Sequence, residues 1–94
     1  MNTANSRRGE SLETLLSGKQ WRKYVGLADK HKITYIQTML GRYEPRRDGF
    51  ERAGEELKQN WIRNQAAFLD AIVYGLQREY ERLTGRTITT SRLE

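Results

Sequence analysis

The sequence predicts an all-α fold: a helical hairpin of two long antiparallel helices with a short N-terminal helix, paired with a second copy into a dimeric helical bundle. Three observations predict it. Strong β-formers are sparse, with two valines and five isoleucines against ten leucines, and that balance favours helix. Apolar residues return every three or four positions at Phe50, Leu57, Trp61, Phe68, Ile72, Leu76 and Leu83, the period of one helix face. A helix over that span would run about 50 Å, longer than a small domain is wide. The one proline, Pro45, stands between this segment and an earlier periodic one.

Residues 1–10 are polar and aperiodic and read as a flexible N-terminal arm. Ser11 can cap a short helix carrying Leu12, Leu15 and Leu16, which Gly18 would stop. Ser17 and Gln20 have capping-box spacing for a second helix, with Trp21, Tyr24, Val25 and Ala28 on one face. Two readings then compete around Lys30 to Thr34. Thr34 and Gln37 repeat the capping-box spacing, yet Ala28, Lys32, Tyr35, Met39 and Tyr43 continue the earlier stripe without a slip. No glycine or proline enforces a break there, so a kinked or continuous helix from about Lys19 to Tyr43 is expected.

The next boundary rests on Pro45, which disfavours helical backbone at Glu44, and on Asp48 with Glu51 three residues on. A loop over residues 44–49 follows. Glu51, Glu55 and Glu56 then suit the positive end of a new helix dipole, and Arg78, Arg82 and Arg86 suit its negative end. Gly85 is the expected left-handed stop. Residues 11–85 thus form a single helical domain and residues 86–94 a flexible tail.

Charge is segregated. Residues 1–50 carry ten Lys/Arg against five Asp/Glu, while residues 51–94 carry seven of each, so the net +5 belongs to the first half. Lys19, Arg22, Lys23 and Lys30 fall opposite the apolar face of the first arm, and Arg42, Arg46 and Arg47 extend the basic surface towards the expected loop. Phosphate binding needs such a face, and neighbouring aromatics can stack on unpaired bases. A solvated basic surface that steers an acidic protein partner uses the same residues.

The long segment has a second face. Asn60, Asn64, Ala67, Ala71 and Gly75 line up at helical spacing, and small residues there would let two helices approach closely. Ile62, Ala66, Leu69 and Val73 add an apolar shoulder opposite. One partner arm covers about one stripe, so this surplus predicts self-association as a homodimer. The alternative is that the first arm and the Leu12 helix cover everything within one chain.

Catalysis has little support. His31, the only histidine, is flanked by Lys30 and Lys32, and no triad, phosphate-binding glycine loop or zinc spacing occurs. A helix-turn-helix fitted to Val25–Tyr43 fails at His31, Lys32 and Thr38. Without cysteine there is neither a disulfide framework nor a thiolate metal site, which suits a reducing cytoplasm. The longest apolar run, Ala66–Leu76, contains Asp70 and is too short to span a bilayer. No motif is specific enough to carry a family, although the short, arginine-rich, cysteine-free style resembles phage and plasmid products. The expectation is a small basic non-enzymatic protein without cofactor or metal, acting as a nucleic-acid-binding accessory or regulatory factor. The alternatives are an adaptor or inhibitor docking on an acidic protein surface, and a structural subunit of an assembly.

Overall fold

The computed structural model describes residues 6–87. It is mostly helical, with no strand among the described residues, and holds α1 (Leu12–Leu15), α2 (Gly18–Val25), α3 (Asp29–Leu57) and α4 (Asn60–Thr84). The two long helices, α3 and α4, pack along each other, and α1 and α2 lie against them. Their direction is antiparallel: Arg47 reaches Asp70 at 3.8 Å, while Gly54, further along α3, lies against Arg63 and Ile62 at the start of α4.

The local start and stop signals hold at three places. The Ser11 hydroxyl accepts from the Thr14 N–H at 3.3 Å and caps α1. Ser17 and Gln20 close a capping box at 3.1 and 3.2 Å and start α2. Gly85 ends α4 in the left-handed region, at φ 73°.

The long-range boundaries differ from expectation. The loop predicted over residues 44–49 is helical, because α3 runs through Pro45. Pro45 cannot donate to the Gly41 carbonyl, a defect of about 3 kcal/mol in an isolated helix. Here α4 holds both sides of it: Leu40 and Glu44 are buried before the proline, and Gly54 after it. The actual turn is Lys58-Gln59. Lys58 adopts φ 56°, ψ 35° and its N–H bonds to the Gly54 carbonyl, a left-handed stop made without glycine. Phe50 and Leu57 therefore belong to α3, and Phe50–Leu83 is not one helix.

The expected Lys19–Tyr43 helix is likewise two helices. Gly26, whose N–H bonds to the Arg22 carbonyl at 3.3 Å, ends α2, and α3 starts after Ala28, which makes no side-chain cap. Thr34 does not cap a helix. Gly18 does not stop α1 either; it is the first residue of α2. Residues 6–10, read from sequence as part of a flexible arm, form a turn held to α4, with Arg8 paired to Asp70 at 2.8 and 3.0 Å.

The core gathers Leu12, Leu15 and Leu16 with Tyr24, Ile36, Met39 and Leu40 against Ala71, Ile72, Val73 and Leu76. The face that α4 buries is offset from the predicted stripe. Ile62, Ala66, Leu69 and Val73, read as a shoulder, are buried, whereas Trp61 is 63% exposed. Phe68 is only partly buried and lies beneath the Arg7 guanidinium at 5.2 Å. From the predicted stripe Ile72 and Leu76 are buried, so the face that α4 buries combines the later part of the stripe with the shoulder, while Phe50 and Leu57 belong to α3.

Candidate nucleic-acid interface

Because Gly26 breaks the chain between α2 and α3, the two helices form the walls of a groove rather than one rod. The groove is about 550 Å³, within the range of small-ligand sites. From α2 it receives Lys19, Gln20 and Lys23, one helical turn apart. From α3 it receives His31, Thr34, Tyr35, Thr38 and Arg42, a stripe at helical spacing that runs about 16 Å. Leu27 and Met39 provide apolar surface, and no lining residue carries a carboxylate.

Side-chain contacts hold this surface in place. Gln20 accepts from the Ser17 N–H and donates to the Tyr43 hydroxyl at 3.3 Å, which bridges α2 and α3. Lys23 lies 5.8 Å from the centre of the Tyr35 ring, and Tyr24 and Tyr35 rings stand 6.0 Å apart. Arg46 lies 5.8 Å from the Tyr43 ring, just past the groove. These are weak contacts for the cations, worth about 0.5–1 kcal/mol when exposed, so Lys23 and Arg46 can exchange them for an anion.

The predicted basic residues separate into three groups. Lys19, Lys23 and Arg42 come together in the groove. Arg22, Lys30 and Arg46 are exposed but do not line it. Arg47 is withdrawn from the surface: its side chain is 14% exposed and pairs with Asp48 at 3.0 Å and Asp70 at 3.8 Å. It is a structural cation, which corrects its place in the expected binding face.

His31, Thr34, Tyr35 and Thr38 line the groove although the segregation of charge does not mark them. Their spacing with Arg42 is visible in the sequence, but the wall opposite them exists only because α2 ends at Gly26. His31, between Lys30 and Lys32, is exposed and lines the groove.

The expected self-association stripe is also divided. Ala71 is 1% exposed within the single chain. Gly75 is covered by Leu12, whose Cδ2 would stand 2.9 Å from any Cβ added there. These two residues serve packing inside the chain. Ala67 is half-buried, and only Asn60 and Asn64 are exposed. They lie beside a different apolar surface: Leu57, 59% exposed, and Trp61, with Phe50 edge-on to Trp61 at 6.5 Å between ring centres.

A second charged cluster joins the N-terminal turn to the long helices. Asp70 accepts from Arg8 and lies near Arg47, while Arg8 also stacks over Tyr74 at 4.8 Å. Burial raises the Glu51 carboxyl above its ordinary range, against the opposing pull of Arg47. At the other end of α4, the Arg82 hydrogen bond holds Glu79 below the usual carboxylate range, with the Tyr24 hydroxyl helping. Burial, and then Glu79, push the Tyr24 phenol up to about 12. Among the described residues, no group of three or more His, Asp or Glu side chains is placed to hold a metal ion.

The chain matches no family model, no curated protein and no solved structure. Among the described residues, no helix is long and apolar enough to cross a membrane.

Proposed function

We propose that this protein is a small non-enzymatic nucleic-acid-binding factor, accessory or regulatory in role, that engages its ligand through the basic surface of α2 and α3. The observation that carries this reading is the groove, in which Lys19 and Lys23 from one helix and Arg42 from another converge and no carboxylate intervenes. Cations that serve only solubility need no such convergence, and Arg47 illustrates the contrast by pairing with two aspartates. Phosphates bound there displace condensed counterions, so affinity falls steeply with salt.

The test is binding of labelled duplex and single-stranded DNA and RNA to nuclease-treated protein across salt. Replacing Lys19, Arg22 and Lys23 together by Gln is expected to weaken binding similarly across sequences and to flatten the salt dependence. Unchanged affinity and slope would reject the surface.

One observation favours a second reading, contact with another protein. Leu57 and Trp61 expose apolar surface at the α3–α4 turn, beside Asn60 and Asn64, and Trp is the side chain most enriched in interface hot spots. On this reading the self-association surface is Leu57 and Trp61 rather than Ala71 and Gly75. Sedimentation of the wild type and a Trp61→Arg variant tests it: a dimer lost in the variant supports the reading, and a wild-type monomer at high concentration removes it.

A further inference from the structure

We propose that the α2–α3 groove is a seat for an unpaired nucleotide, which makes the protein a single-strand binder rather than a duplex binder; this rests on the nucleic-acid reading above. The groove is concave, and its cations stand around its walls: Lys19 and Lys23 on one side and Arg42 at one end of the α3 stripe, with the His31 imidazole at the other end. A duplex presents its phosphates on a convex cylinder with its bases paired inside, and cannot bring a base into such a space. A single strand can place a phosphate against the cations and turn the adjacent base inward.

The interior suits a base. Between the cations lie the Tyr35 ring and the apolar side chains of Leu27 and Met39. Base–aromatic stacking works for every base, because each has a π face. Thr34 and Thr38 lie on the same wall; a hydroxyl both donates and accepts, so neither binds one base edge exclusively. The expected ligand is thus single-stranded and weakly selective in sequence. Lys23 gives up its contact with the Tyr35 ring when it turns to a phosphate, which frees that ring for the base.

Thr38→Glu tests the seat without dismantling the fold. Thr38 is exposed on α3, and Glu is the better helix former. Fluorescence anisotropy would compare a labelled mixed-sequence single strand with the duplex of the same sequence, at several salt concentrations, for wild type, Thr38→Glu, Lys23→Gln and Arg52→Gln. Arg52, exposed on α3 outside the groove, is the control. The wild type is expected to prefer the single strand by about tenfold or more. Thr38→Glu should lose most of that binding, with unchanged helicity by circular dichroism. Lys23→Gln should weaken it several-fold, and Arg52→Gln should change it less than twofold.

Equal or tighter duplex binding overturns the seat while leaving the nucleic-acid reading standing. Single-strand binding that ignores Thr38→Glu does the same. No binding of either form at low salt overturns both.

Discussion

Leu12 occupies the space where a side chain at Gly75 would stand: a Cβ there would lie 2.9 Å from Leu12 Cδ2 and 3.0 Å from its Cγ. This contact docks α1 on α4, since Leu12 is buried and Gly75 is the open position beneath it. Gly75→Ala sets two effects against each other. Alanine favours a helix interior by up to about 1 kcal/mol, while overpacking a well-filled core costs about 1–3 kcal/mol. The second is expected to win, leaving the variant on the order of 1 kcal/mol less stable. Gly49→Ala is the control. It lies inside α3 with nothing within 4 Å of an added Cβ, and should gain about 0.5–1 kcal/mol. Denaturant melts compare the two; a stabilised Gly75→Ala would show that Leu12 yields easily.

The turn between the long helices makes a second prediction. Lys58 is the one non-glycine residue with positive φ among the described residues, and left-handed backbone costs an L-residue about 1–2 kcal/mol. Lys58→Gly is expected to raise stability by about 0.5–1 kcal/mol, less than the full strain because glycine also gains freedom in the unfolded chain. A loss in the same melts would mean that the Lys58 side chain contributes contacts that outweigh its backbone strain.

The same turn shows how much was legible in the sequence. The caps at Ser11, Ser17 and Gly85 were readable from residue type, a serine hydroxyl or a glycine free to take positive φ, whereas Gly26 ends α2 with right-handed backbone and was not. Lys58-Gln59 carries no such mark: Lys58 is an unfavoured residue in a left-handed stop, and Gln59 caps α4 without a side-chain bond to its backbone. Pro45 carried the opposite error, a strong local breaker overruled by packing on α4. All-helical character and two long packed helices survived both errors, because periodicity depends on many residues. The buried face of α4 was legible in part: Ile72 and Leu76 are buried as the stripe predicts, while Trp61 is exposed and Ile62, Ala66, Leu69 and Val73 are buried beside them. Within the candidate site, Lys19, Lys23 and Arg42 were identified from charge, but the groove joining them depends on the break at Gly26.

The N-terminal turn can be tested through Arg8 and Asp70, which share two hydrogen bonds at 2.8 and 3.0 Å. Arg8 is about half exposed, so solvent and salt screen the pair. A double-mutant cycle with Arg8→Gln and Asp70→Asn is expected to give a coupling of about 0.5–1 kcal/mol at low ionic strength, diminishing as salt is added. Asp70→Asn alone should cost more than Arg8→Gln alone, because it also leaves Arg47 without one of its two carboxylates. Equal single-mutant costs with no coupling would show that the turn is held by Arg7 on Phe68 and Arg8 on Tyr74 instead.

Tyr24 and Glu79 tie α2 to α4 through a 2.9 Å hydrogen bond, and their shifts predict opposite responses at the two ends of the pH scale. The Tyr24 phenol is raised from 10 to about 12, so the folded state holds its proton more tightly than the unfolded state. Its contribution is complete below pH 10 and is lost as pH rises through about 12. Glu79 is lowered below its ordinary 4.5 by Arg82 and Tyr24. Its contribution is present above 4.5 and disappears as pH falls through the lowered value. Tyr24→Phe removes the shared hydrogen bond while keeping most of the buried ring. At neutral pH it is expected to cost about 1.5–3 kcal/mol, as for a bond to a charged acceptor. Thermal melts followed from pH 9 to 12 should show the wild type losing its advantage over Tyr24→Phe as the phenol ionises. A constant gap across that range would mean that Tyr24 ionises alike in the folded and unfolded chains, and would remove the alkaline half of the prediction.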